Sequence, residues 1–197
     1  MDGVSRHSEV VNTGVYGDMS DERLTASDWV DAGLAALAHS GFTALKADTL
    51  AKSLGVSRGS FYWHFADVGA FHAAVLNRWR EVAMLEIIAG VESASGDRMN
   101  ALLFRVFRAE SRLEMAVRTW AIGAEPPRRA VEAVDRGRLA YVQGLLVSAG
   151  MGGRQATARA RILYWAYLGY ALSGRKLEAG PLQDILDNLG DLARPKA

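Results

Sequence analysis

The sequence predicts an all-α protein, and three observations lead to this class. Apolar residues recur three or four positions apart along most of the chain, as one face of a helix requires. No segment has the alternation of apolar and polar residues that a half-buried strand needs. Half of the 197 residues are hydrophobic, which suffices for a substantial buried core and excludes a disordered chain.

The first predicted helix follows residues 1–22, which have no apolar period and are interpreted as a flexible N-terminal arm. Thr25 or Ser27 caps this helix, and Asp28 lies in its first turn, where the helix dipole favours an anion. Its core face is formed by Val30, Leu34 and Leu37. Gly41 is expected to end it.

Two short helices are predicted within residues 46–65, which read KADTLAKSLGVSRGSFYWHF. The inner face of the first is formed by Leu50, Ala51 and Leu54. Gly55 ends that helix, and Ser57 caps the second, which spans Arg58–His64 and carries Phe61 on its inner face. Two short helices joined by a glycine-containing turn of this length form the helix-turn-helix pattern.

The second of these helices has an outer face rich in hydrogen-bond donors. Its members are Arg58, Ser60, Tyr62, Trp63 and His64. Donors of this kind suit phosphates and base edges, so the pattern favours a DNA-reading helix. An ordinary helical hairpin with a solvated polar face remains the alternative from the pattern alone.

These residues resemble the DNA-binding signature of the TetR (tetracycline repressor) family of bacterial transcriptional regulators. The signature G-V-S-x-G-x-x-Y-x-H-F is matched without a gap by Gly55, Val56, Ser57, Gly59, Tyr62, His64 and Phe65. The resemblance covers about residues 24–80; beyond them only the helical architecture and the chain length are similar. It implies a helix-turn-helix DNA-binding domain at 23–68, a connecting helix at 69–90, and a helical effector-binding and dimerisation domain at 91–197.

The rest of the chain is predicted to be helical. Asp67 caps a fourth helix that runs to Ala89, just before Gly90, and Glu92–Asp97 is a linker. The helices after it are expected at Asn100–Leu113 and Glu114–Ile122 with a kink near Ser111, from Pro126 to Gly150, at Gln155–Ser173, and from Pro181 through Leu189.

The predicted helix Gln155–Ser173 is apolar on almost every side, so it must be buried on more than one face. It also carries small residues that permit close helix approach: Ala158, Ala160, Ala166, Gly169 and Ala171. This pattern predicts a homodimer in which Gln155–Ser173 and Pro181–Leu192 pack against their copies. The resemblance implies the same contact, a four-helix bundle. A central helix buried within a monomer is the alternative.

The helix-turn-helix assigns separate roles to its residues, because the second helix places its N-terminal residues against base edges. Arg58 is the expected base reader, since arginine pairs bidentately with guanine. Gly59 permits close approach to the groove, and Ser57, at the cap of the helix, is also a candidate DNA-contact residue. Ser60, Trp63 and His64 are expected to donate to phosphates, and Tyr62 to do so or to contact a thymine methyl group. The resemblance implies backbone contacts for Tyr62 and His64.

Lys46, which opens the first of the two short helices, is placed to meet a phosphate. The TetR family commonly has threonine or serine at the position of Lys46, and it usually has lysine where this chain has Val68. A missing phosphate contact at Val68 should weaken DNA binding and reduce its salt dependence somewhat.

Aromatic and apolar residues of the second half are candidates for an effector pocket, which the resemblance implies among the core helices. They are Phe104, Phe107, Met115, Trp120, Tyr141, Tyr164 and Trp165. A small molecule bound there would change the spacing of the two DNA-reading heads and release DNA. Taken singly, each candidate is more often a plain core residue than a pocket residue. Glu110 and Glu114 either answer a cationic effector or belong to a solvated face.

Composition and motifs exclude several other classes. A net charge of +1 leaves DNA binding to a local patch, and the absence of cysteine excludes disulfides and thiolate metal sites. The longest uncharged apolar stretch, Ile162–Gly174, has 13 residues where a membrane helix needs about 20, and no signal peptide is recognised. Catalytic motifs are missing and the histidines are scattered, so neither an enzyme nor a cofactor is predicted.

The sequence therefore predicts a cytoplasmic, sequence-specific DNA-binding transcriptional regulator. The predicted form is a repressor that binds a palindromic double-stranded DNA operator as a homodimer and is released by an unidentified small-molecule effector. The alternative is a helical homodimeric interaction module without ligand response.

Overall fold

The computed structural model describes residues 24–195, and every regular element in that range is helical, which confirms the all-α prediction. The helices are α1 Ala26–Ser40, α2 Ala47–Ser53, α3 Arg58–His64, α4 Val68–Arg80, α5 Glu86–Glu92, α6 Arg98–Arg108, α7 Arg112–Gly123, α8 Glu125–Ser148, α9 Gly153–Leu172 and α10 Ala179–Ala193. A 3-10 turn, Phe42–Ala44, follows α1. The predicted N-terminal arm at 1–22 lies outside the described residues.

Helix α1 begins at a capping box. The Thr25 hydroxyl accepts a hydrogen bond from the Asp28 amide at 3.3 Å, while the Asp28 carboxylate accepts one from the Thr25 amide at 2.7 Å. The sequence predicted Thr25 or Ser27 as the cap of this helix, and the structure shows that Thr25 is the cap. The hydrogen bonds from Thr25 lower the pKa of Asp28 below its ordinary value. Gly41 ends the helix at a positive φ of 73°, as predicted.

The long helix after the DNA-binding segment continues past Ala89, where it was predicted to end. A π-helical turn, Glu81–Leu85, joins α4 to α5, and α5 runs to Glu92. Gly90 does not end the helix, and a Cβ there would overlap the guanidinium of Arg105 on α6. The glycine therefore marks a close contact between helices and not a helix end.

The two helices predicted around Ser111 are separated a few residues earlier than expected. Asp97 caps α6 by accepting hydrogen bonds from two amides of its first turn, and α6 ends at Arg108. Ala109 has extended backbone, and α7 begins at Arg112, so Leu113 belongs to α7. The break lies close to the predicted kink, and it shifts only the boundary.

The first hydrophobic core joins the DNA-binding segment to the helices behind it. Trp29, Phe61 and Phe71 form its centre, with ring centroids 5.2–5.3 Å apart in edge-on pairs. The same cluster includes Trp120 of α7 and Val134 of α8. Because α7 packs along α1, this core crosses the predicted domain boundary at residue 68. Helix α7 therefore contacts α1 directly, and we call the helices α1–α4 the head.

The second core holds α5, α6, α8, α9 and α10 together. Phe107, Leu146, Ala156 and Leu163 are buried in it. Helix α9 contributes one face, since Ala156, Ala160 and Leu163 are buried while its opposite side is exposed. Within residues 24–195, no helix combines the length and the apolar character needed to cross a membrane.

We expect Gly33→Ala to destabilise the fold, because α1 and α4 meet at this residue. A Cβ there would lie 2.7 Å from Phe71 Cζ and 2.9 Å from Val75 Cγ2. Overpacking of this kind should lower the free energy of unfolding by about 1–3 kcal/mol in urea denaturation. Gly144→Ala is the control, since nothing lies within 4 Å of that exposed position in α8. Equal losses in both variants would contradict the close contact.

Candidate functional site

The turn between α2 and α3 has the geometry of a helix-turn-helix. Gly55 adopts a φ of 69°, a left-handed conformation that glycine takes without strain. The Val56 amide then donates to the Ala51 carbonyl at 3.0 Å and closes the end of α2. Ser57 has the extended backbone of an N-cap residue, although its hydroxyl caps no amide among residues 24–195. The predicted cap is therefore present in backbone conformation alone.

Helix α3 divides cleanly into an inner and an outer face. Phe61 and Phe65 are buried against the core of the head. On the other side, the Trp63 side chain is 88% exposed, the highest value among the large hydrophobic residues. The structure brings seven of the predicted DNA-contact residues together on α3 and its cap, namely Ser57, Arg58, Gly59, Ser60, Tyr62, Trp63 and His64. Lys46 is exposed at the start of α2.

Arg58 is held by two neighbours on the outer face of the helix-turn-helix. Its Nε lies 3.3 Å from the Asp48 carboxylate of α2, and its Nη2 donates to the Tyr62 hydroxyl at 3.1 Å. The hydrogen bond to Tyr62 and the charge of Asp48 raise the pKa of Arg58. The sequence does not reveal this pair, because Asp48 and Arg58 are ten positions apart and lie on different helices.

A second polar group of residues lies between α7, α8 and α9, where it is largely but not fully shielded from water. Glu114 is only 6% exposed, so its assignment to a solvated face is wrong. Its carboxylate accepts from Arg118 Nε at 2.7 Å and, bidentately, from Arg138 at 2.9 and 3.0 Å. Arg118 also binds both oxygens of Asp135, and the Tyr164 hydroxyl donates to Asp135 at 2.6 Å. We call these five residues the buried ionic network.

The network contains two carboxylates and two guanidinium groups, so its formal charges cancel. Burial alone would lower the pKa of Arg118, but the hydrogen bonds to Asp135 and the charge of Glu114 raise it above its ordinary value. Burial likewise opposes the charge of Arg138, and Glu114 raises its pKa. Burial and the bond to Asp135 raise the pKa of Tyr164, which keeps that phenol neutral. The two guanidinium groups therefore keep their charge, and Tyr164 stays neutral, throughout the neutral pH range.

Arg138 also fixes the π-helical turn. Its Nε and Nη2 donate to the Ala83 carbonyl at 3.2 and 3.1 Å. The neighbouring Gly137 makes room for Met84, since a Cβ on Gly137 would lie 2.5 Å from Met84 Cε. π-helical turns are rare and often occur at functional sites. Here the turn is stabilised by tertiary contacts from α8.

A cavity of about 160 Å³ lies beside the π-helical turn, among α5–α9. Three of the predicted pocket residues line it: Phe107, Tyr141 and Tyr164. Its wall also contains Trp79, Met84, Leu113 and residues of the buried ionic network. Tyr141 stands at its edge, where its hydroxyl donates to Glu92 at 2.9 Å. Burial first, and this bond second, raise the pKa of Tyr141 to about 12.

The other four predicted pocket residues lie elsewhere. Trp120 stacks on Phe42 at 4.6 Å in the core of the head, and Met115, on the same helix, is outside the cavity wall. Phe104 is half exposed beneath the Arg108 guanidinium. Trp165 points away from the core on α9. Helical spacing identifies the aromatic residues, but it does not reveal which face of each helix borders the cavity.

Comparisons with known proteins agree with this architecture. Residues 30–67 match the family described as bacterial regulatory proteins, tetR family. Reduced E. coli NemR is 22% identical over 88% of this chain and 100% of its own, with a TM-score of 0.75. A TetR-family transcriptional regulator from Rhodococcus sp. is 18% identical over 86% and 98%, with a TM-score of 0.64.

The multidrug binding protein EbrR, complexed with imidazole, is 19% identical over 87% of this chain and 96% of its own, with a TM-score of 0.57. No curated protein shows significant sequence similarity to the chain.

The helix-turn-helix head and the helical body together define a DNA-binding transcriptional regulator. Over residues 30–67 the chain carries the DNA-binding segment of the TetR family of bacterial regulatory proteins. The matched residues include α2, the glycine turn and α3, which carry the signature seen in the sequence.

Proposed function

We propose that the protein is a homodimeric repressor that acts in the cytoplasm. Each copy inserts α3 into one half-site of a palindromic operator, and a small molecule in the cavity releases the DNA. The observation that carries this proposal is the outer face of α3, where Arg58 and the exposed Trp63 stand over a buried aromatic core. Sequencing the DNA that the purified protein retains from a genomic library tests it: recovery of a shared palindrome is expected.

DNA reading requires Arg58 to exchange one partner for another. In the free protein it pairs with Asp48, an exposed contact that is weak in water. Guanine offers two acceptors that match the guanidinium, so the exchange gains a bidentate contact. Lys46 lies on the preceding helix, where a cation meets the phosphate backbone. The two residues should therefore affect binding in different ways.

We expect Arg58→Ala to weaken operator binding by about 10- to 100-fold and to relax the preference at one base pair per half-site. Lys46→Ala should weaken all sequences about equally and reduce the slope of log affinity against log salt by about one unit per half-site. Fluorescence anisotropy with operator and scrambled duplexes measures both effects. Identical losses on every sequence would contradict the division into base reader and phosphate contact.

An apolar face on α9 supports the homodimer. Ile162, Trp165 and Leu172 are exposed along one side of the helix, and Trp165 is 63% exposed. Gly169 lies among them, with nothing within 4 Å of its Cβ position. Exposed apolar residues at this spacing, with a glycine between them, suit close packing against a second copy. A helical homodimeric interaction module without ligand response would have the same exposed face on α9. Measurements of operator binding and of ligand binding therefore distinguish that alternative from the proposed repressor.

The path from the cavity to the DNA-binding head supports a ligand-responsive function. Helix α7 begins at the cavity, where Leu113 and Glu114 form part of the wall. It ends with Trp120 packed on Phe42 and His72 of the head. A ligand that displaces the first turn of α7 would thus move the head. Such coupling is typically 1–3 kcal/mol and must be reciprocal, so operator DNA should weaken the ligand as much as the ligand weakens DNA.

A further inference from the structure

We propose that the cavity takes a neutral, mainly apolar molecule the size of one small aromatic ring. This inference names the chemical class of the effector and so rests on the proposed function. Three features of the cavity lead to it: its volume, the apolar character of its wall, and the paired state of the charged groups that reach it.

The volume of the cavity sets the size of the molecule. At about 160 Å³ it is close to the roughly 150 Å³ of an engineered apolar cavity that stays dry and binds benzene. A fused multi-ring compound exceeds this volume and could not be accommodated in it as a whole. One ring with a small substituent therefore fits the space as it stands.

The inner wall of the cavity is apolar. Ile87 of α5, Leu103 and Phe107 of α6, Val142 of α8 and Leu163 of α9 all contribute to it. Most of these side chains are buried in the second core, and Ile87 is packed against it. An apolar ring placed among them would be removed from water without losing hydrogen bonds, which is the favourable case for hydrophobic binding.

The charged groups at the cavity disfavour an ionic ligand. Both oxygens of Glu114 already accept from Arg118 and Arg138, and Arg138 is further engaged by the Ala83 carbonyl. Since the buried ionic network is neutral as a whole, the charge of a bound ion would stay uncompensated in a poorly hydrated site. The remaining charged residue of the wall, Glu110, is 61% exposed and paired with Lys176, so it stays in contact with water.

Toluene, benzoate and benzylamine test the inference, because they share one ring and differ in charge. We expect toluene to bind the full chain in calorimetry, and the two ions to bind at least about 100-fold more weakly. Trp79 lines the cavity, so its fluorescence should respond to toluene and the response should be lost in Trp79→Phe. Pyrene, with four fused rings, should not bind at the same site.

Two matched variants locate the binding site. Val142 lines the cavity, whereas Val147 lies one and a half turns along α8, half exposed and outside the wall. Val142→Phe should abolish toluene binding, and Val147→Phe should leave it unchanged. Val106 lines the α6 side of the cavity, so Val106→Phe fills the same space and should also abolish toluene binding. This second variant keeps the test decisive if Val142→Phe fails to fold.

Binding of benzoate or benzylamine within tenfold of toluene, binding of pyrene, or failure of toluene to bind would overturn the inference. So would toluene binding that survives in the folded cavity-filling variants. These measurements need no DNA, so a protein that binds toluene but no operator contradicts the proposed function while the cavity assignment stands. A protein that binds its operator but not toluene contradicts the inference alone.

Discussion

An Arg138→Met variant is expected to lose about 3–5 kcal/mol of unfolding free energy, because it breaks the buried ionic network on one side. Glu114 would keep only Arg118 as a partner, and the second oxygen of its buried carboxylate would be left unpaired. The Ala83 carbonyl would lose both of its guanidinium donors. Urea denaturation at neutral pH, followed by circular dichroism, measures the loss.

Arg136→Met is the matched control. Arg136 lies on the same helix, two residues away, and it is exposed. Its replacement should change the unfolding free energy by no more than about 0.5 kcal/mol. If Arg138→Met were no more destabilising than Arg136→Met, the buried ionic network would not contribute to the stability of the packing between α7, α8 and α9.

The Glu114→Gln/Arg138→Met double variant makes the prediction sharper. It removes one carboxylate charge and one guanidinium charge, while the Arg118–Asp135 pair remains. The loss of unfolding free energy in the double variant should therefore be smaller than the sum of the two single losses, by a coupling energy of about 0.5–3 kcal/mol. Strict additivity would show that Glu114 and Arg138 do not interact in solution.

The helix-turn-helix could be predicted from the sequence because its determinants are local. Gly55, Val56 and Ser57 fix the turn through backbone conformation, and Phe61 marks the buried face within one short helix. A pattern of this length needs no information about distant residues. The same is true of the cap at Thr25, whose partner is three residues away.

The cavity could not be predicted in the same way, because distant contacts create it. No local feature of Glu81–Leu85 identifies a π-helical turn; the donors that satisfy Ala83 come from Arg138, 55 residues away. Glu114 and Arg118, spaced i and i+4, look like a surface pair in sequence. Only the approach of α8 buries them. Helical spacing also could not separate Trp120, in the core of the head, from Tyr164 at the cavity.

Gly169→Arg is expected to convert the protein to a monomer. The glycine lies on the exposed apolar face of α9, and a second copy packed there would bury the added charge without a partner. Light scattering should then give the 21.3 kDa of one chain, whereas the wild type should give twice that mass. Trp165 and Leu172 would remain exposed in the variant.

Gly144→Arg is the matched control for this variant. Gly144 is also exposed and has nothing within 4 Å of its Cβ position, but it lies on α8, outside the proposed contact. The same change of residue there should leave the dimer intact. A monomeric Gly144→Arg protein would mean that an added charge disrupts the fold in general and that α9 has no special role.

Operator binding gives the larger effect, because a dimer places two reading helices on one DNA molecule. Once the first head is bound, the second binds at a high effective concentration, which can raise the overall affinity by about 10²–10⁴-fold. Gly169→Arg should lose that gain on the palindrome, while its affinity for a single half-site should match that of the wild type. The preference for a palindrome over a half-site should thus disappear in the variant. A wild-type protein that runs as a monomer and still binds the palindrome tightly would exclude the dimer.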